Sequence, residues 1–252
     1  MKKLLLSDLD HTLIKTDGSV SEHTLDVLAR CREAGVLFAI ATARYWIGAE
    51  KYIDLLKPDF EITTDGTLIH ADGKCIYSSA FTKEDTNRIV QELMQVPGAL
   101  VTVAVGRTVY WNSKHIAESP RLHKAVYCEY DKPLNCCANK IAVEMEDESV
   151  ARRIAEKMGC RLQCYRGEKM YAFLPKDSGK IAAIRAMAEQ SGIELSDIVA
   201  FGDDLNDIEM LSLCGTGVAV SNAIPEVLEV ADQVTLSNDE DGVADWAEKN
   251  LF

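Results

Sequence analysis

An alternation of strand, helix and strand opens the chain and constrains its fold more than any other feature. The run "KLLLS" at 3–7, with three leucines, predicts a short buried strand, residues 21–34 predict an amphipathic helix, and "GVLFAIATAR" at 35–44 predicts a second strand. Gly35 fits the end of that helix, because glycine readily adopts the left-handed conformation found there. Two strands joined through a helix form a βαβ unit, and such units build parallel sheets with helices on both faces.

The alternation is interrupted in the middle of the chain. From about residue 82, strand patterns follow one another with few helices between them, and "ALVTVAVGRTVYWN" at 99–112 predicts an antiparallel pair. The alternation returns towards the C-terminus. We therefore predict an α/β fold in which a doubly wound parallel-sheet (Rossmann-like) core, residues 1–81 and 177–252, carries an inserted α+β domain at residues 82–176.

Charge and composition argue against several classes of protein. The net charge of -13 disfavours a nucleic-acid surface, which depends on an excess of Lys and Arg. The apolar run after MKK ends too early for a signal peptide, and no window approaches the roughly 18 to 20 apolar residues of a membrane span. The 8 cysteines form no CxxC pair. We therefore interpret them as small buried hydrophobic residues of a protein in a reducing compartment. We expect a cytoplasmic monomer or homodimer with no nucleic-acid or membrane partner.

Carboxylates cluster where predicted strands end, and ligands of doubly wound sheets collect at those ends. Grouped carboxylates repel one another unless a cation lies between them, and a few hard oxygen ligands with room for water and a phosphate suit Mg²⁺. A lysine and a threonine hydroxyl in the same place suit phosphoryl oxygens. The polar residues at these ends are Asp8, Asp10, Thr12, Thr42, Arg44, Asp203, Asp204, Asn206 and Asp207, and Lys180 opens a later helix.

Four of these stretches, in their order and spacing, resemble the motifs of the haloacid dehalogenase-like (HAD) superfamily. They are DLDHT at 8–12, the threonine of "AIATAR", Lys180 in "DSGKIAAI", and "GDDLND" at 202–207. The length of the insertion and the tail segments "VAVSNAIPEVLEVAD" and "LSNDEDGVADW" resemble the Cof-type subfamily with a type IIB cap. The resemblance covers essentially the whole chain, and its specific motifs lie in the core.

The resemblance implies a role for each matching residue. Asp8 would be the nucleophile that forms an aspartyl-phosphate, and Asp10 would be the general acid for the leaving alcohol and then the base for water. Asp207 would steady the metal's surroundings or Lys180. Mg²⁺ would be bound by Asp8, the backbone carbonyl of Asp10 and Asp203, and the phosphoryl oxygens would be held by Thr42, Lys180 and Asn206.

Some positions depart from the family pattern. His11 and Ala43 stand where glycine is common, and Asp65 stands where asparagine is common. We expect the His11 side chain to point away from the metal, and Asp65 to add one negative charge near the site. Asp204 is expected to be merely exposed, because its neighbours already match the motif.

The inserted domain carries residue types that can contact a sugar or an aromatic leaving group, namely Arg107, Tyr110, Trp111 and Arg121. Core packing is the expected role of Trp111, because it lies on an alternating strand. None of the four is assigned to the site.

The leading hypothesis is a Mg²⁺-dependent phosphatase that hydrolyses a small phosphorylated metabolite, such as a sugar phosphate or a phosphorylated cofactor. A phosphomutase of the same superfamily is the alternative, since it would share the motifs and return the phosphoryl group to a bound sugar. A phospho-accepting signalling domain is a weaker alternative, because its aspartate should follow a later strand and it needs no inserted domain.

Overall fold

The protein is described by a computed structural model, in which residues 3–117 and 125–252 are described. It divides into two compact units. The core unit comprises Met1–Ala43, Lys51–Tyr77 and Lys180–Phe252, and the cap unit comprises Arg44–Glu50 and Ser78–Gly179. The sequence-based boundaries at 81/82 and 176/177 stay a prediction. Arg121, one of the residues singled out in the inserted domain, lies outside the described residues.

Strands and helices alternate in the first part of the chain. The first strand is buried along its whole length, and Ser21 caps the first helix by accepting a hydrogen bond from the N–H of Thr24 at 3.0 Å. The elements are β1 (Leu4–Ser7), α1 (Glu22–Glu33), β2 (Leu37–Ala41), α2 (Trp46–Leu56), β3 (Phe60–Thr63), β4 (Leu68–Ala71) and β5 (Lys74–Ser78).

The middle of the chain forms a second sheet with two longer helices. Its elements are α3 (Lys83–Leu93), β6 (Leu100–Val105), β7 (Thr108–Trp111), α4 (Lys114–Ala117), β8 (Ala125–Tyr127), β9 (Lys140–Glu144), α5 (Glu148–Met158), β10 (Arg161–Cys164) and β11 (Met170–Leu174). The strand order is β10-β11-β9-β6-β7-β8, and only β7 and β8 are paired in parallel among the described ladders of this sheet. Helices α3 and α5 pack on one face of it, against a cluster that includes Val101, Ile141 and Phe173.

The C-terminal part returns to the first sheet. Its elements are α6 (Lys180–Ser191), β12 (Ile198–Gly202), α7 (Ile208–Leu213), β13 (Thr216–Val220), α8 (Pro225–Val230), β14 (Gln233–Thr235) and α9 (Gly242–Leu251). The strand order is β14-β13-β12-β1-β2-β3-β4-β5, parallel from β14 to β3 and antiparallel between β3 and β4. The predicted α/β fold with an inserted α+β cap is confirmed.

The position of β1 explains where the chemistry collects. This strand lies between β2 and β12 and is parallel to both, with Ser7 opposite Ile40 on one side and Phe201 on the other. The three strands therefore end at the same edge of the sheet. Asp8, Thr42 and Asp203 follow them within two residues of each strand end.

Within the described parts of the chain, no helix combines the length and the apolar character needed to cross a bilayer.

Candidate active site

Lys180 joins two carboxylates that lie far apart in the sequence. Its Nζ donates to Asp8 Oδ1 at 2.6 Å and to Asp207 Oδ1 at 2.7 Å. The Lys180 side chain is 4% exposed, and those of Asp8 and Asp207 are 10% and 0% exposed. Lys180 is the first residue of α6, where the helix dipole disfavours a cation, so the two carboxylates supply the stabilisation that the helix does not.

The pKa values of Lys180 and Asp8 are both raised, for different reasons. Burial alone lowers the pKa of Lys180, but the charges of Asp207 and Asp8, with their hydrogen bonds, outweigh burial and raise it. Burial raises the pKa of Asp8 well above its ordinary value; Lys180 opposes this rise, and the charges of Asp207 and Asp203 add to it. Lys180 therefore stays protonated at neutral pH.

Asp207 has both carboxylate oxygens engaged. While Oδ1 accepts from Lys180, Oδ2 accepts from the backbone N–H of Asp203 at 3.0 Å and of Asp204 at 3.2 Å. A Cβ on Gly202 would lie 2.4 Å from the Cβ of Asp207, so only glycine lets this side chain fold back onto the strand end. Asp207 thus contacts Lys180 and the backbone of Asp203 and Asp204, and this geometry requires glycine at 202, a requirement that the sequence did not reveal.

Asp203 is half-buried and is held by a threonine. Thr12 Oγ1 donates to Asp203 Oδ1 at 2.7 Å, and Thr12 is 1% exposed. Burial raises the pKa of Asp203 to about 6, and the charge of Asp207 adds to the rise, although Thr12 and Lys180 act in the other direction. The sequence places Thr12 at a strand end, but no pattern in the sequence shows that its hydroxyl reaches Asp203.

The three carboxylates together could hold a metal ion. One oxygen each of Asp8, Asp203 and Asp207 lie within 4.8 Å of one another. Burial raises the pKa values of Asp8 and Asp203, and the charge of Asp207 adds to both rises, so a cation bound among these carboxylates would stabilise their ionised forms. The bonds described above occupy both oxygens of Asp207 but only one each of Asp8 and Asp203. The donor set therefore fits a hard divalent cation held mainly by Asp8 and Asp203.

The remaining predicted residues lie on neighbouring segments. Asp10 is half-buried in the turn after β1, in which the carbonyl of Leu9 accepts from Leu13 at 3.1 Å and Ile14 at 2.8 Å. Thr42 is 1% exposed, and its N–H donates to the carbonyl of Ile62 at 2.9 Å. Asn206 is half-buried in the 3₁₀ turn Leu205–Asp207. The structure thus joins Asp8, Thr12, Lys180, Asp203 and Asp207 by direct contacts, and these three residues lie on the segments that follow β1, β2 and β12.

The structure places Asp65, a departure from the family pattern, and Asp204, which was expected to be exposed, in defined local conformations. Asp65 lies beside Thr42, since its N–H donates to the Thr42 carbonyl at 3.2 Å. Thr64 and Asp65 both have positive φ, 58° and 56°, and are buried. A β-branched residue in this conformation is strained, and such strain is concentrated at functional sites. Asp204, expected to be merely exposed, is half-buried and caps the 3₁₀ turn by accepting from the N–H of Leu205 at 2.8 Å.

Replacing His11 by glycine is expected to leave activity within about threefold of wild type and stability unchanged or higher by up to about 1 kcal/mol. His11 is exposed and has φ 58°, a conformation that glycine adopts without strain, and its carbonyl accepts from Asn222 Nδ2 at 2.8 Å in a contact glycine retains. Steady-state kinetics and thermal unfolding check this. A loss of activity beyond tenfold would assign the imidazole a role in the reaction.

Comparison with known proteins agrees with this geometry. A family model described as haloacid dehalogenase-like hydrolase matches residues 5–246. The chain belongs to this family, and it is a HAD-like phosphatase or hydrolase. The predicted Cof-type subfamily with a type IIB cap is confirmed.

Three relatives illustrate the range of the family. An HMP-PP phosphatase of Escherichia coli is 28% identical over 90% of this chain and 87% of that protein. The 5-amino-6-(5-phospho-D-ribitylamino)uracil phosphatase YitU of Bacillus subtilis is 25% identical over 96% of this chain and 94% of that protein. The solved structure of the HAD subclass IIB sugar phosphatase BT4131 superposes with a TM-score of 0.84 at 21% identity, covering 98% of each chain, which shows the shared fold.

Proposed function

We propose that the protein is a Mg²⁺-dependent phosphatase that hydrolyses the phosphate monoester of a small metabolite through an aspartyl-phosphate on Asp8. The observation that carries the proposal is the buried contact between Lys180 and Asp8 beside Asp203. This contact brings together a nucleophile, a permanent positive charge and a carboxylate that can bind a cation. They lie at the carboxyl ends of the strands, where ligands of such sheets bind.

In the first half of the reaction an Asp8 carboxylate oxygen attacks phosphorus, and the bond from phosphorus to the alcohol oxygen breaks. Asp10 gives its proton to that oxygen, so the alcohol leaves neutral. In the second half Asp10 takes a proton from water, and the resulting hydroxide attacks the aspartyl-phosphate, releasing inorganic phosphate and restoring Asp8.

Binding groups hold the phosphoryl oxygens during both steps. Lys180 and Thr42 would donate to them, with Asn206 near the same group, and the raised pKa of Lys180 keeps its charge in place throughout. Asp8, the Asp10 carbonyl and Asp203 would hold Mg²⁺, which neutralises charge on the carboxylates and on the phosphoryl oxygens when it is bound. Asp207 fixes Lys180 and orders the backbone of Asp203 and Asp204.

The relatives support a small phosphorylated metabolite as the substrate class. Their names describe phosphatases for HMP-PP, for a phosphoribitylamino-uracil and for a sugar phosphate. We propose a sugar phosphate or a phosphorylated cofactor for this chain. Cytoplasmic location and a monomeric or homodimeric state remain predictions from the sequence.

A phosphate-release screen over phosphorylated metabolites tests the proposal. We expect release with Mg²⁺ and loss of at least about 100-fold when the cation is chelated, because the carboxylates then repel the phosphate. Isomerisation of a sugar phosphate that requires a bisphosphate, without net release, would instead favour a phosphomutase.

Replacing Asp203 by asparagine is expected to stabilise the metal-free protein and to remove the rise in Tm that Mg²⁺ produces. The pKa of Asp203 is raised to about 6, so at pH 7.5 the folded protein holds an ionised carboxylate that it disfavours. Asparagine removes that charge and can still accept from Thr12, which should raise stability by about 1–2 kcal/mol, or the Tm by roughly 2–8 °C. Thermal unfolding with and without Mg²⁺ measures both effects.

The matched control is Asp204→Asn, since asparagine also caps a turn and should leave the Mg²⁺ response intact. If Asp203→Asn kept the full Mg²⁺-induced rise in Tm, Asp203 would not be a ligand.

A further inference from the structure

The strand β3 ends in a bulge beside Thr42, and both lie in the core unit. Extended by one residue, the register of β2 and β3 places Thr42 opposite Thr63. The N–H of Thr42 donates to the carbonyl of Ile62 at 2.9 Å, as a parallel ladder requires. The carbonyl of Thr42, however, accepts from Asp65 at 3.2 Å instead of from Thr64. One extra residue is thus inserted in β3, which defines a β-bulge, and bulges next to active sites re-aim side chains.

The turn that follows the bulge is held by its backbone in a conformation that suits threonine poorly. Thr64, Asp65 and Gly66 all have positive φ, at 58°, 56° and 79°. The N–H of Gly66 donates to the carbonyl of Thr63 at 3.1 Å, and the carbonyl of Thr64 accepts from both the N–H and the hydroxyl of Thr67, at 3.2 and 2.8 Å. Turns with two central residues at positive φ favour asparagine, aspartate and glycine there, and β-branched residues are disfavoured. The fold therefore does not by itself explain a threonine at position 64.

The hydroxyl of Thr64 is a second unfavourable feature. Thr64 is 0% exposed, and among the described residues its Oγ1 has no hydrogen-bond partner. Buried hydroxyls are normally bonded, and an unbonded one in a native fold calls for an explanation. Thr42, which we propose to bind the phosphoryl group, is 1% exposed, so a binding role is compatible with burial of this degree. A ligand that bonds the Thr64 hydroxyl would account for both the residue type and its strained conformation.

The place of β3 in the sheet indicates which part of a substrate the hydroxyl would meet. Strand β2 lies between β1 and β3, and neighbouring strands are about 4.8 Å apart. The carboxyl end of β3 is therefore roughly 9–10 Å across the sheet from that of β1, where Asp8 lies, and one strand farther from Asp8 than Thr42 is. Since Thr42 and Lys180 are proposed to hold the phosphoryl oxygens, a group one strand farther out is placed for the leaving alcohol.

We propose that the Thr64 hydroxyl forms a hydrogen bond with a hydroxyl group of the leaving alcohol, and so selects phosphate esters of polyols and sugars over those of simple alkyl alcohols. A threonine hydroxyl both donates and accepts, which suits a neutral hydroxyl partner. A substrate without that partner leaves the buried Thr64 hydroxyl unbonded, and sites of this kind discriminate against such substrates. This inference rests on the proposed phosphatase function and narrows its substrate class.

Substrate pairs of equal carbon number test the proposal. Ribitol 5-phosphate is compared with pentyl phosphate, and glycerol 3-phosphate with propyl phosphate, so that each pair differs only in its hydroxyl groups. We expect kcat/KM to be about 5- to 100-fold higher for the polyol ester in at least one pair, the range expected when a buried hydroxyl gains or lacks its partner. Equal values within both pairs, or a preference for the alkyl ester in both, would overturn the proposal.

Variants connect the preference to Thr64. Thr64→Val removes the hydroxyl and keeps the β-branched shape, so it should lower the polyol-to-alkyl ratio of kcat/KM by about fivefold or more, while kcat/KM for the alkyl ester changes less than about threefold. Thr64→Ser keeps the hydroxyl and should retain most of the ratio. Thr63→Val is the matched control, because it removes another buried hydroxyl without a partner, one residue earlier, from a position where φ is not positive. An equal loss of the ratio in Thr63→Val would overturn the assignment to Thr64.

Two other roles for the hydroxyl predict different results. If it only stabilised the turn, Thr64→Val would lower the unfolding temperature and reduce kcat/KM equally for both members of each pair. If it bound the phosphoryl group, Thr64→Val would weaken inhibition by inorganic phosphate as much as it lowers kcat/KM. Either result would overturn the inference. Failure of the phosphatase proposal is distinguishable, because wild type and Asp8→Asn would then be equally inactive towards every compound, the alkyl esters included, and both proposals would fall.

Discussion

Replacing Asp8 by asparagine is expected to lower kcat/KM for phosphate release by about four orders of magnitude or more. The amide cannot form the aspartyl-phosphate, and loss of a nucleophile removes the covalent route altogether. The amide oxygen in Asp8→Asn could still accept the hydrogen bond from Lys180, so the fold should persist. Phosphate release with the best substrate of the screen measures the effect.

The stability of this variant separates a chemical from a structural effect. Burial raises the pKa of Asp8, which means that the site disfavours its charge, and a neutral amide should therefore cost less than about 1 kcal/mol. Asp26→Asn, an exposed change on α1, is the matched control and should be silent in both assays. More than about 1% residual activity in Asp8→Asn, free of wild-type contamination, would defeat the proposed mechanism.

Replacing Lys180 by methionine is expected to cost about 3–5 kcal/mol of stability and to reduce activity by about 100-fold or more. The change leaves Asp8 and Asp207 buried, close together and without their cation. Methionine fills a similar volume, so the loss reports charge more than packing. Urea unfolding gives the stability, and phosphate release gives the activity.

The difference in stability between wild type and Lys180→Met depends on pH in a defined direction. The pKa of Lys180 is raised in the folded protein, so its contribution is fully present below the ordinary lysine pKa and is lost only as the pH rises through the raised value. The gap between wild type and Lys180→Met should thus persist from neutral to mildly alkaline pH and narrow in acid as Asp8, whose pKa is raised, takes up a proton. Lys176→Met, exposed and four residues earlier, controls for loss of a lysine; an equal loss of stability there would contradict the explanation.

The core of the fold could be predicted because its signals are local. The apolar run before Asp8, the capped helix at 22–33 and the glycine that follows it are each contained in short windows. Parallel strands then bring their carboxyl ends to one edge, so Asp8, Thr42 and Asp203 could be grouped without knowing any distance.

Other parts of the site depend on contacts that no local pattern encodes. The bond from Thr12 to Asp203 spans 191 positions, and the requirement for glycine at 202 comes from a side chain that folds back from residue 207. The positive φ of Thr64 is a conformation that β-branched residues disfavour, and the surrounding tertiary structure stabilises it. Trp111 is buried, as its strand pattern predicts. Its edge-to-face contact with Tyr45 could not be predicted, because the sequence assigns Tyr45 to the core domain, whereas the structure groups residues 44–50 with the cap unit.

The central place of β1 also determines when the active site can exist during synthesis. One neighbour of this strand, β2, emerges soon after it, whereas the other, β12, emerges only after the whole cap segment has been made. Until then one edge of β1 lacks its native partner, and an open apolar strand invites pairing with other chains. Its four-residue length limits that hazard. Neither Asp203 nor Lys180 can reach Asp8 before this late stage, so a nascent or truncated chain has no means of assembling the charge cluster.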